Sequence, residues 1–134
     1  MVILNMSESL HHERIAVIDF GSQYTRLIAR RLREVGAFGL VYNSSVTFEE
    51  IKGQDLKGII LSGGPSSVFD DGAPVLDPQI LEAGLPNLGI CYGQQVMMKM
   101  LGGEVISGSG TSEFGKSYVK QKNQKIKLLD GLFN

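Results

Sequence analysis

The sequence predicts an α/β fold built on a doubly wound, mostly parallel sheet. Three observations predict it. Short β-branched runs alternate with stretches whose apolar residues recur at helical spacing, the pattern of successive β-α units. The runs are apolar at adjacent positions rather than alternate ones, as strands covered on both faces are. The 17 glycines fall at the ends of these runs rather than in a repeat, so they mark turns and close backbone approaches.

Arg14 to Phe20 reads Arg-Ile-Ala-Val-Ile-Asp-Phe and stops at Gly21, as a buried parallel strand would. Ser22 is placed to cap a helix over Gln23 to Val35. There Tyr24, Leu27, Ile28, Leu32 and Val35 form the inward stripe, Arg26, Arg30, Arg33 and Glu34 face away, and Gly36 ends the run. Phe38 to Tyr42 is the second strand. Thr47 with Glu50 three residues on forms a capping box that opens a short helix, and Gly58 to Ser62 is the third strand. Asp77 before Pro78 starts a further helix, closed by Gly84. Asn87 to Cys91 is the fourth strand. Tyr92 to Leu101 is the next helix, apolar almost all round at Val96, Met97, Met98, Met100 and Leu101, and so expected to be buried. After Gly103 the texture turns polar and β-rich, with Ser117 to Lys120 and Lys125 to Leu129 expected in a peripheral antiparallel excursion.

The charge balance excludes some function classes. Thirteen basic against 14 acidic residues give a formal charge of -1, which argues against a nucleic-acid or anionic-membrane partner. No stretch approaches the length of a transmembrane helix, and the opening Met-Val-Ile-Leu-Asn-Met is too short and uncharged for a signal segment. The single cysteine, Cys91, has no partner for an internal disulfide and suits a reducing compartment, so a cytoplasmic location is expected.

In an open parallel sheet, ligands bind beyond the carboxyl ends of the strands. Three glycine-rich turns fall at such ends: Asp19 to Gln23, Ser62 to Ser67, and Gly89 to Gly93. The third is the most informative, because a thiol flanked two residues on either side by glycine, at a strand-to-helix junction, has the layout of a nucleophile elbow. The start of the following helix would aim backbone N–H groups and its positive dipole end at the sulfur, favouring the reactive thiolate. Most lone cysteines simply pack in a core, but the glycines and the rim position favour the nucleophile here. Three readings of the Ser62 to Ser67 turn stay open. Its Gly63 and Gly64 N–H groups could bind an oxyanion together with the Tyr92 N–H, its Ser-Gly-Gly opening could be a phosphate loop, or it could be a plain turn. Asp19-Phe20-Gly21 is not a kinase magnesium motif, since nothing upstream could supply the nucleotide lysine or a catalytic loop. The only histidines, His11 and His12, read as part of a solvated N-terminal tail.

Several stretches resemble one family. They are Ile-Asp-Phe-Gly-Ser-Gln-Tyr-Thr from Ile18, Ala-Arg-Arg-Leu-Arg-Glu-Val-Gly from Ala29, Ile-Ile-Leu-Ser-Gly-Gly-Pro from Ile59, Gly-Ile-Cys-Tyr-Gly-Gln-Gln from Gly89 and Glu-Phe-Gly from Glu113. In order and spacing they are similar to the class I glutamine amidotransferases, and among these to the glutaminase domains of the GMP synthase family. The resemblance implies a flavodoxin-like fold, incomplete at the C-terminus. It divides the chain into a tail over 1–13 and a partial amidotransferase domain over 14–134, without the synthetase and dimerisation domains. It implies that Cys91 attacks the side-chain amide of glutamine, that the Gly64 and Tyr92 N–H groups form the oxyanion hole, and that Gln95 contacts bound glutamine.

No cofactor or metal is implied in this chain. The resemblance assigns ATP and magnesium to an ATP pyrophosphatase partner domain, where the released ammonia would aminate xanthosine monophosphate, in a parent that is a homodimer. The family's catalytic histidine and glutamate come from a later strand reading roughly Gly-Val-Gln-Phe-His-Pro-Glu, which these 134 residues do not contain. The chain is therefore expected to be an N-terminal fragment without turnover of its own. The alternative is a glutamine-binding or docking domain that has lost catalysis.

Overall fold

In the computed structural model, which describes residues 13–65 and 71–106, the first β-branched run forms strand β1 (Arg14–Asp19). There follow helix α1 (Thr25–Glu34), strand β2 (Phe38–Asn43), the single-turn helix α2 (Phe48–Ile51) and strand β3 (Leu56–Leu61). Helix α3 (Pro78–Glu82), strand β4 (Asn87–Gly89) and helix α4 (Tyr92–Met100) complete the described chain. The strands make one sheet in the order β2-β1-β3-β4, and every adjacent pair is parallel. The expected α/β class is the observed one. The segments Ser117 to Lys120 and Lys125 to Leu129, together with His11 and His12, lie outside the described residues.

Topology follows from the crossover rule. The step from β1 to β2 runs in one direction across the sheet and the steps to β3 and β4 run in the other. Right-handed crossovers therefore put α1 on one face and α2 with α3 on the opposite face. Side chains alternate between faces along each strand. Ala16, Ile18 and Phe20 join Ile59 and Leu61 in a cluster with Ile51, Ile80, Tyr92 and Val96. Val17, also fully buried, points to the α1 side. Each large side chain buried in this way contributes roughly 1.5–3 kcal/mol. All four carboxyl ends lie on one rim, and the winding reverses between β1 and β3. A doubly wound sheet opens a binding crevice at that point.

Helix α1 departs from expectation in two ways. It starts at Thr25, because Ser22 builds a turn ahead of the helix: its Oγ accepts the Tyr24 N–H at 3.0 Å, and its carbonyl accepts the Thr25 N–H at 3.4 Å. The inward stripe is Thr25, Ile28, Ala29 and Leu32, while Tyr24, Leu27 and Val35 are exposed. Gly39 explains the rotation. A Cβ there would lie 3.1 Å from both Ala29 Cα and Leu32 Cδ1, so α1 approaches β2 on its Ala29 side and the bulkier Leu27 turns outward.

Helix α4 is also less buried than its composition implied. Tyr92, Gly93 and Val96 face the core, but Met98 and Leu101 are exposed, since a helix docked on a sheet has one covered face. Strand β4 ends at Gly89 rather than Cys91, because the chain leaves the sheet to make the turn described below.

The starts of α2 and α3 are where the sequence places them. Glu50 Oε2 accepts the Thr47 N–H at 2.7 Å and the Thr47 hydroxyl at 2.9 Å. Those two donors, the backbone one first, hold the Glu50 carboxyl below the ordinary glutamate range. Asp77 Oδ1 accepts the Gln79 N–H at 3.1 Å and its Oδ2 accepts the Phe48 N–H at 2.8 Å. One carboxylate thus ties the starts of α2 and α3 together, a long-range link that local spacing does not reveal. Among the described residues, no helix is long and apolar enough to cross a membrane.

Candidate active site

Strand β4 stops at Gly89, and the chain reverses into α4 through Ile90 and Cys91 alone. Cys91 sits at the N-cap with φ 51° and ψ -118°, a left-handed backbone that residues with side chains rarely adopt. Such a conformation costs about 1–3 kcal/mol and persists only where its surroundings enforce it. Here the enforcement is visible. The Ile90 N–H donates to the Leu61 carbonyl at 2.9 Å, the Gly93 N–H to the Ile90 carbonyl at 3.0 Å, and the Gln94 N–H to the Cys91 carbonyl at 3.0 Å. Tyr92 is buried beneath the turn, its ring edge-on to Phe20 at 5.3 Å between centroids, and its hydroxyl donates to the Pro74 carbonyl at 2.5 Å.

The flanking glycines are required by contact. A Cβ on Gly93 would stand 2.2 Å from the Leu61 carbonyl oxygen, and one on Gly89 would stand 2.7 Å from Gln94 Cα. Both obstacles are backbone and have no rotamer through which to yield. Replacing Gly93 with alanine is therefore expected to lift α4 off β3, release the strained turn and cost about 3 kcal/mol or more. Chemical denaturation checks this. A Gly93→Ala protein with an unchanged midpoint would mean that α4 does not dock as described.

Cys91 is exposed and opens on a cleft of about 370 Å³ lined by Gly21, Ser22, Gln23, Tyr24, Gly63, Gly64, Pro65 and Cys91 itself. The turns after β1 and β3 thus meet the thiol on one rim. The β3 turn lies directly against it, since a Cβ on Gly63 would fall 2.9 Å from Cys91 Cβ and 3.6 Å from Sγ. Gly64 is pressed from the other side, where a Cβ would lie 2.2 Å from the Phe20 carbonyl oxygen. Of the other residues singled out from sequence, Tyr92 begins α4 beside the thiol while its side chain points into the core. Gln95 is half-buried one turn along α4, its N–H donating to the Cys91 carbonyl at 3.3 Å, and it is not one of the residues lining the cleft.

A larger cleft, about 540 Å³, lies on the other side of Tyr92, lined by residues that include Pro74, Val75, Leu76, Val96 and Met100. Its lining is mostly apolar, with Lys99 its one charged residue, and it lacks the thiol, so the smaller cleft is the candidate site.

Behind the cleft runs a buried polar chain that the spacing of the motifs does not announce. The Thr25 hydroxyl lies 2.9 Å from Asp19 Oδ1 and 3.1 Å from Ser62 Oγ, and Asp19 Oδ1 also accepts the Gly21 N–H at 2.8 Å. Thr25 and Ser62 are 1% and 0% exposed. A threonine in the inward stripe of an amphipathic helix was the available sequence signal, since a buried hydroxyl needs a partner.

Comparison with known proteins places the chain. The family model for class I glutamine amidotransferases matches residues 16–134. The chain is 50% identical over 123 residues to the glutamine-hydrolysing GMP synthase of Cereibacter sphaeroides, covering 91% of this chain and 24% of that protein. Against the GMP synthase of Ruegeria sp. the identity is 49%, with the same coverage of 91% and 24%. Against that of Synechococcus sp. it is 49% over 114 residues, covering 85% of this chain and 22% of the relative. The chain thus spans about a quarter of the length of these curated relatives. The crystal structure of a GMP synthase subunit from Thermoplasma acidophilum superposes with a TM-score of 0.64 at 30% identity, covering 78% of this chain and 52% of that one.

Proposed function

The chain belongs to the class I glutamine amidotransferase family, and on that footing we propose that it is the glutaminase part of a GMP-forming enzyme, with Cys91 as its nucleophile. The Cys91 thiolate attacks the side-chain amide carbon of glutamine, and the carbonyl oxygen becomes an oxyanion. The N–H groups of Gly64 and Tyr92 donate to that oxyanion, an interaction worth about a hundredfold or more per donor in such sites. Collapse of the tetrahedral intermediate breaks the C–N bond, and the nitrogen leaves as ammonia once protonated. Water then attacks the thioester carbon, releasing glutamate and the thiol. Gln95 contacts the bound glutamine in this scheme.

The observation that carries the proposal is the enforced left-handed turn at Cys91, which holds an exposed thiol against the Gly63 backbone at the sheet's switch point. Of the readings open for the Ser62 to Pro65 turn, this contact favours oxyanion binding. Pro65 has no N–H to offer a phosphate. Among the described residues no three His, Cys, Asp or Glu side chains form a metal site. By the same reading, ATP and magnesium belong to the ATP pyrophosphatase partner domain, where the ammonia would aminate xanthosine monophosphate.

A chloromethyl ketone analogue of glutamine, incubated with the 134-residue protein, is expected to alkylate Cys91, with glutamine slowing the reaction and asparagine leaving it unchanged. Peptide mapping by mass spectrometry reads the site. Equal protection by both amino acids, or a label elsewhere, would refute glutamine recognition at this cleft.

A further inference from the structure

We infer that Thr25 is a positioning residue that fixes the oxyanion-binding turn of β3 relative to Cys91, through a directed hydrogen-bond chain from Ser62 to Thr25 to Asp19. The inference rests on the assignment of Cys91 and Gly64 proposed above. Direction follows from proton counting. The Thr25 hydroxyl has a single proton and donates it to Asp19 Oδ1 at 2.9 Å. Thr25 Oγ1 must then accept from Ser62 across the 3.1 Å contact. The alternative acceptor for Ser62, the Gly63 carbonyl, is 3.4 Å away and the weaker choice. Both hydroxyls are excluded from water, so neither can exchange its partner for solvent.

The chain joins three elements at this rim, and brings the first turn of α1 into the link: the carboxyl end of β1, the first turn of α1 and the turn after β3. Ser62 immediately precedes Gly63, on which a Cβ would fall 2.9 Å from Cys91 Cβ, and Gly64, on which a Cβ would fall 2.2 Å from the Phe20 carbonyl oxygen. Ser62 is further tied to β1 by its N–H, which donates to the Ile18 carbonyl at 3.0 Å. The backbone bond fixes the height of the turn on the sheet, and the Ser62 hydroxyl fixes its rotation about that bond. Rotation is what aims the Gly64 N–H. Thr25 touches no substrate in this arrangement and acts only through Ser62.

The test compares two probes of one thiol in the 134-residue protein. The chloromethyl ketone analogue of glutamine generates an oxyanion when the thiolate adds to its carbonyl. Iodoacetamide is attacked at its methylene and generates none. Thr25→Val keeps the shape and removes the hydroxyl, and is expected to slow ketone labelling about tenfold while leaving iodoacetamide labelling within about twofold. Thr25→Ser is expected to restore the wild-type ratio. A merely structural role would move the melting temperature and both probes together, and that result overturns the inference, as does an unchanged ketone rate or a failure of serine to rescue. Should Thr25→Val not fold, Ser62→Ala carries the same comparison with the same expected ratio, and an unchanged ratio there overturns it equally. A wild-type protein that shows no preference for the ketone, or a Cys91→Ala protein labelled as fast as wild type, refutes the assignment of Cys91 itself. A wild-type preference that survives the loss of the Thr25 hydroxyl refutes only the strut.

Discussion

In the GMP-forming enzyme proposed above, replacing Cys91 with alanine is expected to abolish glutamine-dependent GMP formation while sparing the same reaction fed with free ammonium. The loss should exceed about four orders of magnitude, the scale on which single catalytic residues act in nucleophile-based hydrolysis. The reason for separating the two activities is structural. The substitution removes Sγ alone, and the Cβ that meets the Gly63 backbone is retained, so the packing of the turn is preserved. Alanine is as strained as cysteine at a φ of 51°, so the enforcing contacts at Leu61 and Ile90 face the same task as before. The expected deficit is therefore chemical, confined to the step that needs a thiolate. Parallel assays with glutamine and with ammonium chloride decide the matter, and equal losses in both would make Cys91 a structural residue.

Much of this arrangement was legible in the sequence because it is encoded locally. Gly89 and Gly93 around a thiol specify a tight strand-to-helix reversal, and Asp77 before Pro78 specifies a helix start. Both appear where the spacing puts them. Four apolar runs separated by helical periodicity were enough for a parallel sheet. What was not legible depends on contacts between distant segments. The stripe of α1 is set by how closely Ala29 approaches Gly39 across the sheet, and no periodicity within the helix reports that distance. The reach of Asp77 Oδ2 to the Phe48 N–H spans 29 positions, and the Thr25 to Ser62 contact spans 37. Tyr24 falls in the inward stripe by its spacing and instead lines the cleft, because the turn built by Ser22 delays the helix to Thr25. The roles proposed for Gly64, Tyr92 and Gln95 rest on family resemblance. Geometry adds the tight seat of Gly64 on Phe20, and it places Gly63 against the sulfur.

The 134-residue protein by itself is expected to show no useful glutaminase turnover, although its thiol remains open to alkylation. An unassisted cysteine is only a few per cent thiolate near neutral pH, and attack needs the thiolate. Expulsion of ammonia also needs an acid to protonate the departing nitrogen, since an amide anion is too poor a leaving group. The described residues place no histidine beside Cys91, and the chain's two histidines, His11 and His12, both precede β1 in sequence. Glu13, the first described residue, leads into the amino end of β1, about 20 Å of strand away from the rim that carries the thiol. Loss of the base from a nucleophile-base pair costs up to about a million-fold in rate, roughly 8 kcal/mol of transition-state stabilisation. The oxyanion donors proposed at Gly64 and Tyr92 offset none of that, because the intact enzyme uses them as well. Both the acylation and the hydrolysis halves of the cycle therefore stall. The measurement is glutamate release from glutamine by the purified chain, set against a Cys91→Ala control and an intact amidotransferase. Release above the control and within a hundredfold of the intact enzyme would contradict the expectation, and would require a base within reach of Cys91, with His11 and His12 the first to be mutated.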